Sequence, residues 1–453
     1  MKLYNTASRQ LEDLGPIRPI KLYTCGPTVY DYAQIGNLRN TIFNDTLKRA
    51  LVAAGYEVNH VMNITDVGHL TSDADEGHDK LEKGAEREGK TVWEVADFYL
   101  QEFHANVSAL NILPPDKEAR ATDYIDQQIA LIGNLVDNGF VYQTKQAIYF
   151  DVTKLSDYGK LSGQSLADKL TGARGDVVTD PHKHHPQDFA VWFFTVGHFE
   201  GHTMQWDSPW GKGFPGWHLE CSAIIQTLLG NPIDIHTGGV DHIGTHHTNE
   251  IAQTEAATGK PLAKIWVHNE FLMANGAKMS KSLGNYYILR DLTERGYHPL
   301  AFRLLMLQSH YRSQINFTFE ALEAAQHFLL NLYNWAETSH QPHLPILPDD
   351  VITPIKEAVT NDLGTPEAIA GIAKLTHERP SSQLLHELDE LFGLDLAKRV
   401  DITAEQKQLI ADRETARNNK DFAESDRIRV QLTSVGVTLD DSPAGTIWRR
   451  STI

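Results

Sequence analysis

The sequence predicts an α/β fold: a parallel sheet with crossover helices, interrupted by an insertion and followed by an α-helical bundle and a small C-terminal unit. Three observations carry this expectation. The apolar run Ile20-Lys21-Leu22-Tyr23-Thr24-Cys25 passes through a glycine-bearing loop into a helical pattern, and residues 57–63 form a second apolar strand. Strand, helix and strand in succession make a right-handed β-α-β crossover over residues 20–66. From Pro299 onward the apolar spacing becomes helical.

Composition narrows the function. A chain of 453 residues exceeds one ordinary domain, so two to four are expected. The formal net charge of −18 excludes general coating of nucleic acid by a basic surface. Any RNA partner would have to meet local clusters such as Arg427, Arg429, Arg449 and Arg450. Met1 runs directly into mixed polar sequence, and no apolar run approaches the roughly 18 residues of a membrane span, which predicts a cytoplasmic, non-membrane protein. The two cysteines, Cys25 and Cys221, lie too far apart for a disulfide framework and suggest buried thiols or metal ligands.

In the opening unit, Leu38, Ile42, Leu47, Leu51 and Ala54 recur near the 3.6-residue period and stop at Gly55, a natural residue just past a helix end. The helix begins around Gln34-Ile35-Gly36-Asn37, where free backbone N–H groups and the positive dipole end would face an anion. Thr65 ends the second strand, at the carboxyl edge where parallel sheets bind ligands. Residues 72–90 are dense in both charge signs and read as a solvated, mobile segment without chemistry. Thr91 caps an amphipathic helix bearing Val92, Val95, Phe98 and Tyr99, a second helix runs from near Thr122 to Gly139, and residues 147–152 form a strand. The Pro-flanked His182, His184 and His185 read as an exposed loop rather than a metal site.

The α/β pattern resumes with Gly216-Trp217-His218-Leu219-Glu220-Cys221, the strand Asp234-Ile235-His236, the turn Gly238-Gly239-Val240-Asp241, and a helix from His246 to Gly259. Lys278-Met279-Ser280-Lys281-Ser282, flanked by Gly276 and Gly284, is a flexible basic loop suited to phosphates. Phe302, Leu305 and Met306 lie on one later helix, and Leu322, Ala325, Leu329, Leu332 and Trp335 on the next. Pro342, Pro345, Pro348 and Pro354 mark a loop before helices resume. Two helices and two short strands close the chain in a piece too small for much core of its own.

Cys25-Gly26-Pro27-Thr28-Val29-Tyr30 with Gln34-Ile35-Gly36-Asn37, the K-M-S-K-S string and the final Gly445-Thr446-Ile447-Trp448 together resemble class I cysteinyl-tRNA synthetases over most of the chain. The resemblance implies a Rossmann-like catalytic domain over residues 1–115 and 209–298, with a connective insertion at 116–208, a helical bundle at 299–398 and an anticodon-binding domain at 399–453. The family's turn carries a histidine where this chain has Gln34.

Cys25, Cys221, His246 and Glu250 would supply sulfur, nitrogen and oxygen to a single Zn2+, the last two from one helix face, with His247 as the neighbour most easily mistaken for the ligand. The resemblance further implies a cysteine pocket of Gly26, Thr65, Trp217 and His236, and catalysis at Gln34, Gly36, Asn37, Lys278 and Lys281. ATP and its Mg2+ would meet Gly36, Asp241, Lys278, Met279 and Lys281. Arg417, Phe422, Asp426, Asp441 and Trp448 would meet tRNA(Cys). The expected activity is ATP-dependent ligation of L-cysteine to that tRNA by a monomeric enzyme. A ligase joining cysteine to an amino sugar and a non-catalytic tRNA-binding paralogue are the alternatives.

Overall fold

The computed structural model describes residues 1–72, 76–163, 180–279, 284–442 and 445–451. By its internal contacts the chain divides into two units. The first comprises Met1–Ser108, Ile112–Met273 and Tyr311–Ile315, and the second Ala109–Asn111, Ala274–His310 and Asn316–Ile453.

The first unit opens with an antiparallel pair, β1 (Lys2–Asn5) and β2 (Gln10–Asp13), and then β3 (Ile20–Thr24), α1 (Ile35–Ala53) and β4 (Val58–Ile64). Gly55 adopts φ +89° just beyond α1, the left-handed conformation that a helix terminator needs. Next come β5 (Leu70–Ser72), β6 (Glu76–Asp79), α2 (Lys80–Glu88), α3 (Val92–Ala109) and β7 (Lys117–Arg120). The insertion holds α4 (Ile125–Asp137), β8 (Val141–Gln143), β9 (Ala147–Phe150), β10 (Phe189–Phe194) and β11 (Gly213–Pro215). It is followed by α5 (Trp217–Leu228), β12 (Ile233–Gly239), a short α6 (Asp241–Gly244), α7 (His246–Thr258) and β13 (Ala263–Asn269).

Five strands form the parallel sheet in the order β13-β12-β3-β4-β7. From β3 the chain winds first to one side through β4 and β7 and later to the other through β12 and β13. The switch point therefore lies between β3 and β12, and ligands of such sheets bind at the carboxyl ends there. Because β7 pairs with β4 in register Val61 to Lys117, the sheet extends past the insertion start expected at 116. The antiparallel sheet β11-β10-β9-β8 likewise reaches Pro215, beyond the expected end at 208.

The reading of residues 72–90 is corrected by the structure at Ser72 and residues 76–90, the part it describes. Instead of a mobile segment, they contribute an antiparallel β5–β6 pair and a helix whose Leu81 and Ala85 are buried. Asp79 caps that helix by accepting the Leu81 N–H at 2.7 Å. Two buried apolar positions one turn apart are too few to show periodicity among so many charges.

The second unit is mainly helical and includes α8 (Leu289–Thr293), α9 (Pro299–Leu307) and α10 (Phe319–Glu337). Leu322, Ala325, Leu329, Leu332 and Trp335 form the buried stripe of α10. Residues 274–298, grouped by sequence with the catalytic domain, cluster with this unit: Asn285 Nδ2 bonds the carbonyls of Ala274 and Lys278, and Tyr287 packs edge-on to Phe319. Three further helices follow, α11 (Thr353–Thr360), α12 (Thr365–Leu375) and α13 (Ser382–Phe392). The closing piece contains α14 (Ala404–Asn418), α15 (Phe422–Ser434), β14 (Val437–Ser442) and β15 (Gly445–Arg450). Its core is small, built on Ile402, Ile428, Leu432, Val437, Leu439 and Trp448. Among the described residues no helix is long and apolar enough to cross a membrane.

Candidate metal centre and its surroundings

Cys25 follows β3 directly, on one side of the switch point, and is buried. Cys221 lies on α5, and His246 and Glu250 lie one turn apart on α7; Gly238 and Gly239, expected in a turn, are instead the last residues of β12, which α6 joins to α7. One ligand atom from each of Cys25, Cys221, His246 and Glu250 can be chosen so that all four lie within 4.8 Å of one another. Cys25, His236, His247 and Glu250 satisfy the same test.

The two sets share Cys25 and Glu250 and differ in their other two members. His236 Nε2 is engaged with Glu250 Oε2 at 2.7 Å, and His247 Nδ1 with His268 Nε2 at 2.8 Å. His246 Nε2 lies 2.8 Å from Glu250 Oε1, yet that oxygen has no aligned hydrogen-bond donor. Cys221 Sγ lies 3.5 Å from that same His246 Nε2, so sulfur, nitrogen and carboxylate oxygen crowd together in a buried space, as they would around a shared cation. The first set offers two sulfurs, a nitrogen and an oxygen, a mix that fits zinc.

The electrostatics agree. Hydrogen bonding from Cys221 and the facing histidines hold the Cys25 thiol well below its ordinary range, whereas burial pushes Cys221 up. Burial would raise the Glu250 carboxyl, but His236 and His246 hold it below the usual carboxylate range. Burial would lower His246, but the Glu250 carboxylate and Cys25 push it up to about 10. Burial and then His236 lower His247 to about 4, which keeps it neutral.

The other expected residues fall around this cluster to different degrees. Trp217, the first residue of α5, stacks on His246 with ring centroids 4.2 Å apart. Thr65 is buried and donates to Glu220 Oε1. Gly26 owes its identity to packing: a Cβ there would sit 1.8 Å from the Asn63 carbonyl oxygen, and its N–H already donates to Asn63 Oδ1 at 2.9 Å. Gln34 occupies the N-cap of α1 with extended backbone, and Asn37 Oδ1 accepts its N–H at 3.2 Å, while Gly36 lies in the first turn. Asp241 is exposed at the start of α6. Its Oδ1 lies 2.3 Å from where a Cβ on Gly239 would be, which explains that glycine.

In the second unit Lys278 is exposed and Met279 half-buried, whereas Lys281, with Ser280 and Ser282, lies outside the described residues. Among the expected tRNA contacts, Phe422 and Asp426 are exposed. Trp448, only 4 % exposed, is part of the module's core, and Asp441 is held by Arg413 through two bonds of 2.8 Å and by Arg417. The C-terminal arginines are also committed: Arg427 pairs with Glu424, Arg429 bonds the Leu439 carbonyl, Arg449 pairs with Asp440 and Arg450 with Glu337. In the insertion, His184 stacks on Tyr142 with centroids 3.6 Å apart, and the metal-ligand sets found among the described residues do not include that loop.

Sequence reasoning missed His69 and Glu220. Glu220 is buried beside Cys221, with Oε2 unpartnered, and burial pushes its carboxyl well above the usual range. Its position next to a candidate ligand was the available signal. His69 had none, because it lies between the strand ending at Thr65 and the charged segment 72–90, in a stretch without periodicity or motif.

Comparison with known proteins follows the same lines. Residues 13–327 match the family model described as the tRNA synthetases class I (C) catalytic domain, and residues 399–449 that of the cysteinyl-tRNA ligase anticodon binding domain. The chain is 40% identical to the cysteine–tRNA ligase of Treponema denticola, covering 99% of each protein. It is 44% identical to cysteine–tRNA ligase 1 of Burkholderia lata, over 98% of this chain and 96% of that protein. Among solved structures, Mycobacterium tuberculosis methionyl-tRNA synthetase with methionyl-adenylate aligns at a TM-score of 0.59 and 14% identity. That alignment spans 84% of this chain and 90% of the other, a likeness of fold.

Proposed function

Because the chain belongs to the cysteine–tRNA ligase family of class I aminoacyl-tRNA synthetases, we propose that it activates L-cysteine with ATP at the β3–β12 switch point and passes the cysteinyl group to tRNA(Cys). The observation that carries the site assignment is the buried set Cys25, Cys221, His246 and Glu250 at that switch point. These four would hold one Zn2+. When bound, zinc supplies a Lewis-acidic position that takes a thiolate far better than the less acidic hydroxyl of serine.

The chain's own residues do the rest. Trp217, Thr65 and His236 surround the amino acid, with Gly26 as tight packing beneath it. The first turn of α1, at Gln34, Gly36 and Asn37, presents backbone N–H groups and the positive dipole end to the phosphates. Lys278, Met279 and Lys281 bring the basic loop to ATP, which enters with Mg2+, and Asp241 takes the nucleoside. A carboxylate oxygen of cysteine attacks the α-phosphorus, forming the adenylate as the bond to pyrophosphate breaks. A terminal ribose hydroxyl then attacks the acyl carbon and AMP leaves. Positioning and charge neutralisation suffice, so no side-chain nucleophile is required.

The anticodon-module match over residues 399–449 supports tRNA rather than an amino sugar as the acceptor. Phe422 and Asp426 form its RNA-facing surface, Trp448 supports the module from its core, and the exposed Arg417–Asp441 ion pair is open to the RNA as well. We place the enzyme in the cytoplasm as a monomer, where reducing conditions keep both thiols free.

The test is metal analysis with cysteine-dependent exchange of pyrophosphate into ATP. One zinc per chain and robust exchange are expected, both lost in Cys221→Ser. A zinc-free active enzyme, or full zinc content in Cys221→Ser, overturns the assignment.

A further inference from the structure

Zinc coordination distinguishes a thiol from a hydroxyl but not one thiol from another. Homocysteine, with one more methylene, offers the same sulfur, so only the walls of the pocket can reject it. The wall the structure provides is the Trp217 indole, which covers His246 on the candidate metal set.

The indole is held by a second ring. His69 stacks on Trp217 with centroids 3.9 Å apart and planes within 9° of parallel. The His69 ring is 7 % exposed and fixed at both nitrogens. Lys80 Nζ lies 2.6 Å from Nε2 and can only donate, so Nε2 accepts and the ring proton sits on Nδ1. Nδ1 in turn donates to Thr28 Oγ1 at 2.8 Å. The loop carrying Thr28 is pinned to the end of β4, since Val29 N donates to the Thr65 carbonyl at 3.1 Å and Thr65 N to the Pro27 carbonyl at 3.0 Å.

The backbone leading to His69 is built for this placement. Gly68 has φ +71°, and a Cβ on it would sit 2.3 Å from the Pro215 carbonyl oxygen, two residues before Trp217. Its N–H is held by Asp79 Oδ2 at 3.0 Å, and the His69 carbonyl accepts the Lys80 N–H at 3.0 Å. Lys80 and Asp79 come from the β6–α2 junction, so the segment that looked chemically silent carries the clamp.

We propose that His69 is a positioning residue that clamps the Trp217 indole against His246 and thereby sets the length of thiol side chain the site accepts. This rests on the zinc-dependent cysteine site proposed above. A free indole would swing away and open room for the extra methylene, removing a discrimination that shape typically sets at about ten- to two-hundredfold.

The experiment compares cysteine- and homocysteine-dependent pyrophosphate exchange for the full-length wild type, His69→Ala, His69→Asn and His69→Phe, with zinc content measured on each. Expected is a homocysteine-to-cysteine ratio of kcat/KM that rises about tenfold or more in His69→Ala and His69→Asn, through KM for cysteine as well as gain toward homocysteine, with about one zinc retained. His69→Phe keeps an aromatic face without either hydrogen bond and should hold the ratio near wild type. An unchanged ratio in His69→Ala, or a His69→Phe as relaxed as His69→Asn, overturns the clamp. If one variant fails to fold, the other two decide by the same criterion. A wild type lacking zinc or cysteine-dependent exchange overturns the functional reading, and this inference with it.

Discussion

Gln34 stands at the N-cap of α1, where the family pattern carries a histidine. Its amide can donate to a phosphate oxygen but cannot become cationic, so a neutral hydrogen bond replaces a charge-assisted one. Losing one well-placed donor to a developing charge costs about 3 kcal/mol of barrier. Gln34→Ala should therefore form adenylate roughly a hundredfold more slowly with zinc content unchanged, and Gln34→His should be as fast as the parent or faster. Single-turnover activation rates check this; a Gln34→Ala matching the parent would assign the turn's work to its backbone alone. Asp441, expected at the RNA surface, is exposed and also carries a structural task. Hydrogen bonds from Arg413, a buried guanidinium, and then from Arg417 hold its carboxyl below the usual range. A depressed carboxylate stabilises the folded state above the unfolded pKa, about 3.9, and that contribution fades as pH falls through the folded value. Asp441→Asn should thus weaken the module by no more than about 1 kcal/mol at pH 7, because solvent screens so exposed a carboxylate, with the deficit shrinking below about pH 4, read by hydrogen exchange across α14 and the β14–β15 pair.

Among the elements, α15 presents an exposed face on which Phe422, 64 % exposed, and Val430, 69 % exposed, flank Asp426. An exposed aromatic ring stacks a nucleic-acid base for about 1–3 kcal/mol. Phe422→Ala should lower kcat/KM for tRNA charging about tenfold while leaving cysteine-dependent pyrophosphate exchange intact; equal charging by the variant would remove α15 from the RNA interface. Point variants are cleaner than truncation here. Deleting the C-terminal piece would strip Arg450 from the fully buried Glu337 and the Trp448 backbone from Gln341. Element existence was legible wherever apolar spacing was strong, as in α1 and α10. It failed at β5, β6 and α2, where few buried apolar residues sit among alternating charges.

At the scale of the whole molecule, the charge of −18 is not relieved by the C-terminal arginines, each of which is bound to a carboxylate or carbonyl of the protein. Recognition must then rest on few, shaped contacts rather than on a basic field. The same economy holds for the amino acid, because no separate editing segment was found in the sequence. Shape alone separates near-isosteres by about a hundredfold, so serine should support pyrophosphate exchange more weakly than cysteine by well over that factor. Comparable rates with the two amino acids would dismiss thiolate coordination as the selector.

By itself the sequence determined the α/β class and the helix after β3, because each is encoded in local periodicity, while the four candidate metal ligands and the basic loop were named from the resemblance. The tertiary structure decided what depends on segments remote in the chain. Sequence weighed His247 as the residue most easily confused with the metal ligand. The structure brings both histidines to the cluster, His246 Nδ1 meeting His218 Nδ1 at 3.0 Å and His247 Nδ1 meeting His268 Nε2 at 2.8 Å. Trp448, expected among the RNA contacts, is turned into the module's core by the β14–β15 pairing. The stacking of His69 on Trp217 needs the Gly68 turn to meet the start of α5, and a contact between two distant segments leaves no periodic trace in either.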